Sequence, residues 1–142
     1  MRPTQSKALT LALSAAALLA WSAGCASRGG PTNTYTGGPG EPTEEQIASE
    51  ALQRDLEILV RSSARRDGFL ICQFDLHNKR ASDIQLEWSV DWFDADGLEI
   101  QVQERWRPQV ISGGGFETVQ ITGPTMAAER WRLAVRRPNP VR

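Results

Sequence analysis

One short segment, Asp83 to Phe93, limits what this chain can fold into more than any other. Ile84, Leu86, Trp88, Val90 and Trp92 alternate with Gln85, Glu87, Ser89 and Asp91. Side chains of an extended strand point to opposite faces with period two, whereas a helix would scatter these five apolar residues around its circumference. The segment therefore reads as a strand with one buried and one wet face, a pattern typical of antiparallel sheets. Asp94-Ala95-Asp96-Gly97 supplies turn chemistry directly after it. Leu98, Ile100 and Val102 then alternate with Glu99, Gln101 and Gln103 on the return.

The same period recurs elsewhere. Leu56, Ile58 and Val60 begin a strand, with a single longer helix through 60 as the alternative, and Phe69 to Asn78 places Leu70, Cys72, Phe74 and Leu76 on one face. Phe116 to Thr122 turns Val119 and Ile121 inward, and Trp131, Leu133 and Val135 alternate with Arg130, Arg132 and Arg136. Pro108 confines the run 106–111 to an edge or a loop. Ser112-Gly113-Gly114-Gly115 follows no strand-to-helix pattern, so it reads as a turn and not as a phosphate cradle. Thr43-Glu44-Glu45-Gln46 has capping-box spacing and predicts a short helix over 44–53. The fold expected is mainly β: a small antiparallel β-sandwich, immunoglobulin-like, with about six or seven strands and one short N-terminal helix.

Ahead of this domain the chain reads as an address and a tether. Arg2 and Lys7 bracket the start, Ala8 to Ala20 is uncharged and rich in Ala and Leu, and Ser22-Ala23-Gly24 leads to Cys25. A basic start, an apolar run and small residues match an export signal, here 1–24. The small residues before Cys25 look like a lipobox, in which the Cys receives diacylglycerol, although Ser22 stands where an aliphatic residue is usual. Simple cleavage near Gly24 or Ala26 is the alternative; the apolar run falls short of the roughly 18–20 residues a membrane span needs. Ala26, in place of Asp, favours the outer membrane over the inner. Residues 25–43, with Gly29, Gly30, Pro31, Gly37, Gly38, Pro39, Gly40 and Pro42, read as a lipidated Cys and a structureless tether. The sandwich is expected over 44–142.

Composition removes several function classes. Lys+Arg is 16 and Asp+Glu is 17, which leaves no basic field for nucleic acid. One His and two Cys are too few for a His/Cys metal cluster, and no metal or cofactor is expected. Cys72 lies in an apolar stripe and reads as a core residue. Asp91, Asp94, Asp96 and Glu99 crowd one hairpin, but a calcium loop would put ligands at Trp92 and Gln103, so they read as turn and surface residues. Trp88 and Trp92 share a stripe with Ile84, Leu86 and Val90 and read as core. Trp106, between Arg105 and Arg107 near an expected edge, is the candidate for a binding surface, with Arg132 of the last strand as a further basic member. No acid–base or nucleophile set is apparent, so no enzyme is expected.

Leu76-His77-Asn78, the segment from Leu86 to Glu99 with Trp92-Phe93-Asp94 before Asp96-Gly97, Trp106-Arg107-Pro108, the glycines at 113–115 and the Arg-rich last strand together resemble the YcfL-like family of small bacterial envelope lipoproteins. The resemblance covers roughly residues 50–137. It departs at Glu87-Trp88, where that family often has a tyrosine–arginine pair. It implies a periplasm-facing β-sandwich with no assigned catalytic residue. Such lipoproteins tend to be encoded near activators of peptidoglycan synthases, so the partners implied are the membrane, through lipid on Cys25, and an envelope or peptidoglycan-synthesis protein. A glycan or small-ligand module using Trp106, Arg105, Arg107 and Arg132 is the alternative reading.

Overall fold

The structure, a computed structural model, describes residues 30–103 and 106–139. Among them are nine strands and one helix, arranged as two antiparallel sheets packed face to face. The first sheet contains β1 (Asn33–Gly37), β2 (Glu44–Gln46), β5 (Ile84–Phe93), β6 (Glu99–Ile100), β7 (Arg107–Ile111) and β9 (Arg130–Arg136). Its order is β2-β1-β9-β5, with β6 and β7 both pairing with β5. The second sheet has β8 (Phe116–Thr122) beside β4 (Phe69–Asn78), and β3 (Leu56–Arg66) on the other side of β4. The expected sandwich is present, with two strands more than the highest number expected.

The stripes seen in the sequence make the core. Leu70, Cys72, Phe74 and Leu76 of β4 are buried, as are Ile84, Leu86, Trp88 and Trp92 of β5 and Trp131, Leu133 and Val135 of β9. Phe74 meets Trp131 edge to face at 4.9 Å between the sheets. The Trp131 indole nitrogen donates to Ser63 Oγ on β3 at 3.1 Å, so the polar end of this buried ring is satisfied. Burial pushes the Cys72 thiol up to about 12, which fits a packing role.

Two expectations near the start of the domain are corrected. The tether expected over 25–43 holds strand β1, paired with β9 from Asn33↔Val135 to Gly37↔Trp131. Its inward residues are Asn33, Tyr35 and Gly37, of which only Tyr35 is a large apolar side chain, so the strand carries no hydrophobic period. Gly37 is a close-approach residue: a Cβ there would stand 2.8 Å from Trp131 Cζ2. Cys25 lies outside the described residues.

The helix expected over 44–53 is the second correction. Glu44–Gln46 pairs with β1 as a short edge strand, and the helix α1 (Glu50–Asp55) starts later. Ser49, not Thr43, is its cap, accepting from the Leu52 amide at 3.2 Å. Buried Asn33 fixes this entry by accepting from the Ala48 and Ser49 amides at 3.0 and 2.7 Å. A capping box needs free backbone amides after it, and those of 44–46 belong to a sheet ladder instead.

The turns follow their side-chain chemistry. Asp94 Oδ1 accepts from the amides of Asp96 and Leu98 at 3.0 and 2.9 Å, and Gly97 takes φ 79°. The glycine run after β7 is a packing turn, since a Cβ on Gly113 would meet the Ala81 carbonyl oxygen at 2.1 Å.

Candidate functional site

The interruption between β6 and β7 creates a concavity. Strand β5 pairs with β7 from Ile84 to Trp88 and with β6 at Trp92 and Phe93. Between these ladders the chain leaves the sheet edge. A cleft of about 640 Å³ opens there, bounded by Trp88, Val90 and Trp92 on β5 and by Gln120, Ile121 and Thr122 on β8. Val102, Trp106 and Arg107 close it from the departing segment. The cleft thus sits where the two sheets part at one side of the sandwich.

Its donors are unevenly satisfied. Trp88 is only 5% exposed, and its indole nitrogen is buried with no hydrogen-bond partner among the described residues. A buried donor left unmade costs about 1–3 kcal/mol. The Arg107 guanidinium lies 4.9 Å over the Trp88 ring and has no ion pair among the described residues. Among the described residues no carboxylate lines the cleft.

The candidate surface residues do not form one patch. Arg107 and Trp106 line the cleft. One face of Trp106 is occupied, because the Arg136 guanidinium stacks on it at 3.7 Å while donating to Glu87 at 3.0 Å. Arg132 lies on the outer face of the sheet, bound to Asp91 at 2.6 Å and stacked over Phe93 at 5.1 Å. Cross-strand pairing of Glu87 with Arg136 and Asp91 with Arg132 makes this face an ion-paired ladder. Arg105 lies outside the described residues. The two core tryptophans are too covered to serve as flat platforms for a sugar ring, each being 5% exposed.

The remaining candidates are structural. His77 stacks on Phe116 with centroids 4.1 Å apart and contacts Glu57 at 3.2 Å. Asp75 binds Arg61 and Thr118 at 2.5 and 2.8 Å. Among the described residues no three His, Cys, Asp or Glu side chains gather to hold a metal. Sequence reasoning assigned Trp88 to the core and missed that it also walls the cleft. Gln120 and Thr122 were missed because their role follows from β8 lying at a sheet edge, which strand periodicity does not report.

A family model described as "Protein of unknown function (DUF1425)" matches residues 43–137. No curated protein matches the chain. Among solved structures, a DUF1425 family member from Shewanella sp. pv-4 is similar at 18% identity and a TM-score of 0.55, over 75% of this chain and 90% of that one. The Campylobacter jejuni protein cj0090 is similar at 19% identity and a TM-score of 0.47, over 58% of this chain and 85% of that one. At 18% identity the Shewanella structure speaks for a shared fold alone.

Proposed function

The chain belongs to the DUF1425 family of uncharacterised proteins, and on that premise we propose that it is an envelope lipoprotein of the YcfL-like kind whose β domain binds another envelope component without catalysing a reaction. The cleft carries this reading: a ligand-sized concavity at a sheet edge with a guanidinium, that of Arg107, which has no ion pair among the described residues. The signal-like segment 1–24 and Cys25 support export and lipid attachment. Lipid on Cys25 holds the domain facing the periplasm, with the outer membrane favoured by Ala26. A wall-synthesis protein is the partner class this reading expects.

Two measurements in cells test it. Alkyne-palmitate labelling should mark the wild-type chain and fail with Cys25→Ala. A photo-crosslinking residue at Gln120, on the cleft wall, should yield an envelope adduct that the same residue at Asp96, in the β5–β6 turn, does not. An unlabelled wild-type chain would remove the anchor, and equal adducts at both positions would remove the cleft.

A further inference from the structure

Every free sheet edge in a soluble domain is a template for another strand, and folded proteins guard most of them. The edges of this sandwich differ in how they are guarded. Strand β2 is three residues long and two of them are glutamates. Strand β6 has two residues. Strand β7 carries Pro108, which cannot donate to a ladder. Strand β3 has a register shift between Val60 and Ser62 and carries Arg61, Arg65 and Arg66. Strand β8 has none of these devices. Its seven residues, Phe116 to Thr122, include no Pro, pair with β4 without a register shift and hold one charge, Glu117. No strand covers its other side among the described residues.

The unguarded edge is also the one that borders the cleft, through Gln120, Ile121 and Thr122. We propose that the free edge of β8 accepts an extended segment of a partner protein in which apolar and acidic residues alternate. This rests on the binding reading above and names the class of ligand. The added strand satisfies the open backbone groups of β8, and its side chains on the cleft-facing side enter the space beside Trp88 and Trp92. One acidic side chain meets Arg107, the charged residue among the described lining of the cleft, where no described carboxylate competes. Charge complementarity thus selects an acidic segment over a basic one.

The test uses the full chain, purified in detergent, against a displayed library of random heptapeptides. The wild type should enrich peptides that alternate apolar residues with Asp or Glu. Arg107→Glu, a change at an exposed position, should turn the selection toward Lys and Arg, which a merely unfolded variant cannot do. Arg107→Gln should keep the apolar spacing and lose the charge preference. Hydrogen exchange with that peptide bound should slow β8 amides. No enriched peptide, a selection unmoved by Arg107→Glu, or protection confined to other strands would overturn the proposal. A chain that dimerises through β8, seen as a doubled mass by light scattering, would also overturn it, because the edge would then be filled by its own copy. These outcomes are separable from those in cells: an envelope adduct at Gln120 with no acidic selection would keep the binding reading and discard this ligand class.

Discussion

Asn78 joins three parts of the chain at a single buried amide. Its Nδ2 donates to the carbonyls of Ser82, Ile111 and Ser112 at 2.9, 2.9 and 3.0 Å, and its Oδ1 accepts from the Arg80 amide at 2.9 Å. The residue is fully buried, and its bond to the Ile111 carbonyl is buried with it. Asn78→Ala should cost about 2–4 kcal/mol, read as a shift in the urea midpoint, and Asn78→Asp should cost more because it replaces the donor with an acceptor. A loss within the range of an ordinary surface change would show that the amide is not what joins the loops. Asp75 gives the residue scale its pH dependence. The hydrogen bond from Arg61, then that from Thr118, holds its carboxyl below the ordinary value of 3.8. The unfolded state therefore takes up the proton first as pH falls. The contribution of Asp75 is complete above its ordinary value and is lost as pH drops through the lowered one. Asp75→Asn should flatten the acid limb of melting temperature against pH below about pH 4 and leave its shape near neutrality unchanged. An unaltered acid limb would assign acid unfolding to other carboxylates.

At the scale of elements, the strands legible in the sequence are those whose inward positions are mostly apolar. Strands β4 and β8 run over the expected residues, and β5 and β9 over the expected alternations, because Leu, Ile, Val, Phe and Trp recur at every second place. Strands β1 and β2 were illegible for a physical reason. Their stability comes from ladder bonds to β9 and from Asn33, Tyr35 and Gly37, a polar residue, an aromatic and a glycine that share no hydrophobic signature. The Thr-Tyr-Thr run between glycines was the only local sign of a strand. The cleft was legible in part: Trp106 and Arg107 were picked out by composition near an edge, while Arg132 faces the opposite side because it is one register position from Trp131. The helix start is the element-scale prediction. Two residues compete for the cap, and only the Ser49 hydroxyl reaches an amide of α1. Ser49→Ala should cost about 1 kcal/mol in chemical unfolding, and Thr43→Ala should stay within about 0.5 kcal/mol. The reverse order would restore the earlier helix start.

For the whole molecule, strand β1 decides how far the domain stands from whatever holds its N-terminal side. A structureless segment through residue 43 would predict that removing 33–40 changes reach and leaves stability alone. The sheet predicts the opposite. Deleting 33–40 removes Tyr35, which is 4% exposed, and strips the β9 edge from Asn33↔Val135 to Gly37↔Trp131. It also removes the Asn33 side chain, which fixes Ala48 and Ser49 ahead of α1. Each loss is of a kind that costs on the order of 1–4 kcal/mol, and they fall in one contiguous region, so they act together rather than independently. The deletion should therefore lower the melting temperature by ten degrees or more, at roughly 4–8 °C per kcal/mol for a domain of this size. Tyr35→Ala alone should give part of that loss and Tyr35→Phe little of it, since the packing is lost only in the first. If Cys25 carries lipid, the seven residues 26–32 are all that separate the anchor from the first sheet, a span of at most about 25 Å when extended. Lengthening that stretch with a Gly/Ser insert should leave the melting temperature unchanged while altering which envelope components crosslink at Gln120. A deletion of 33–40 that melts like the wild type would detach β1 from the sheet and return the whole segment to the role of a tether.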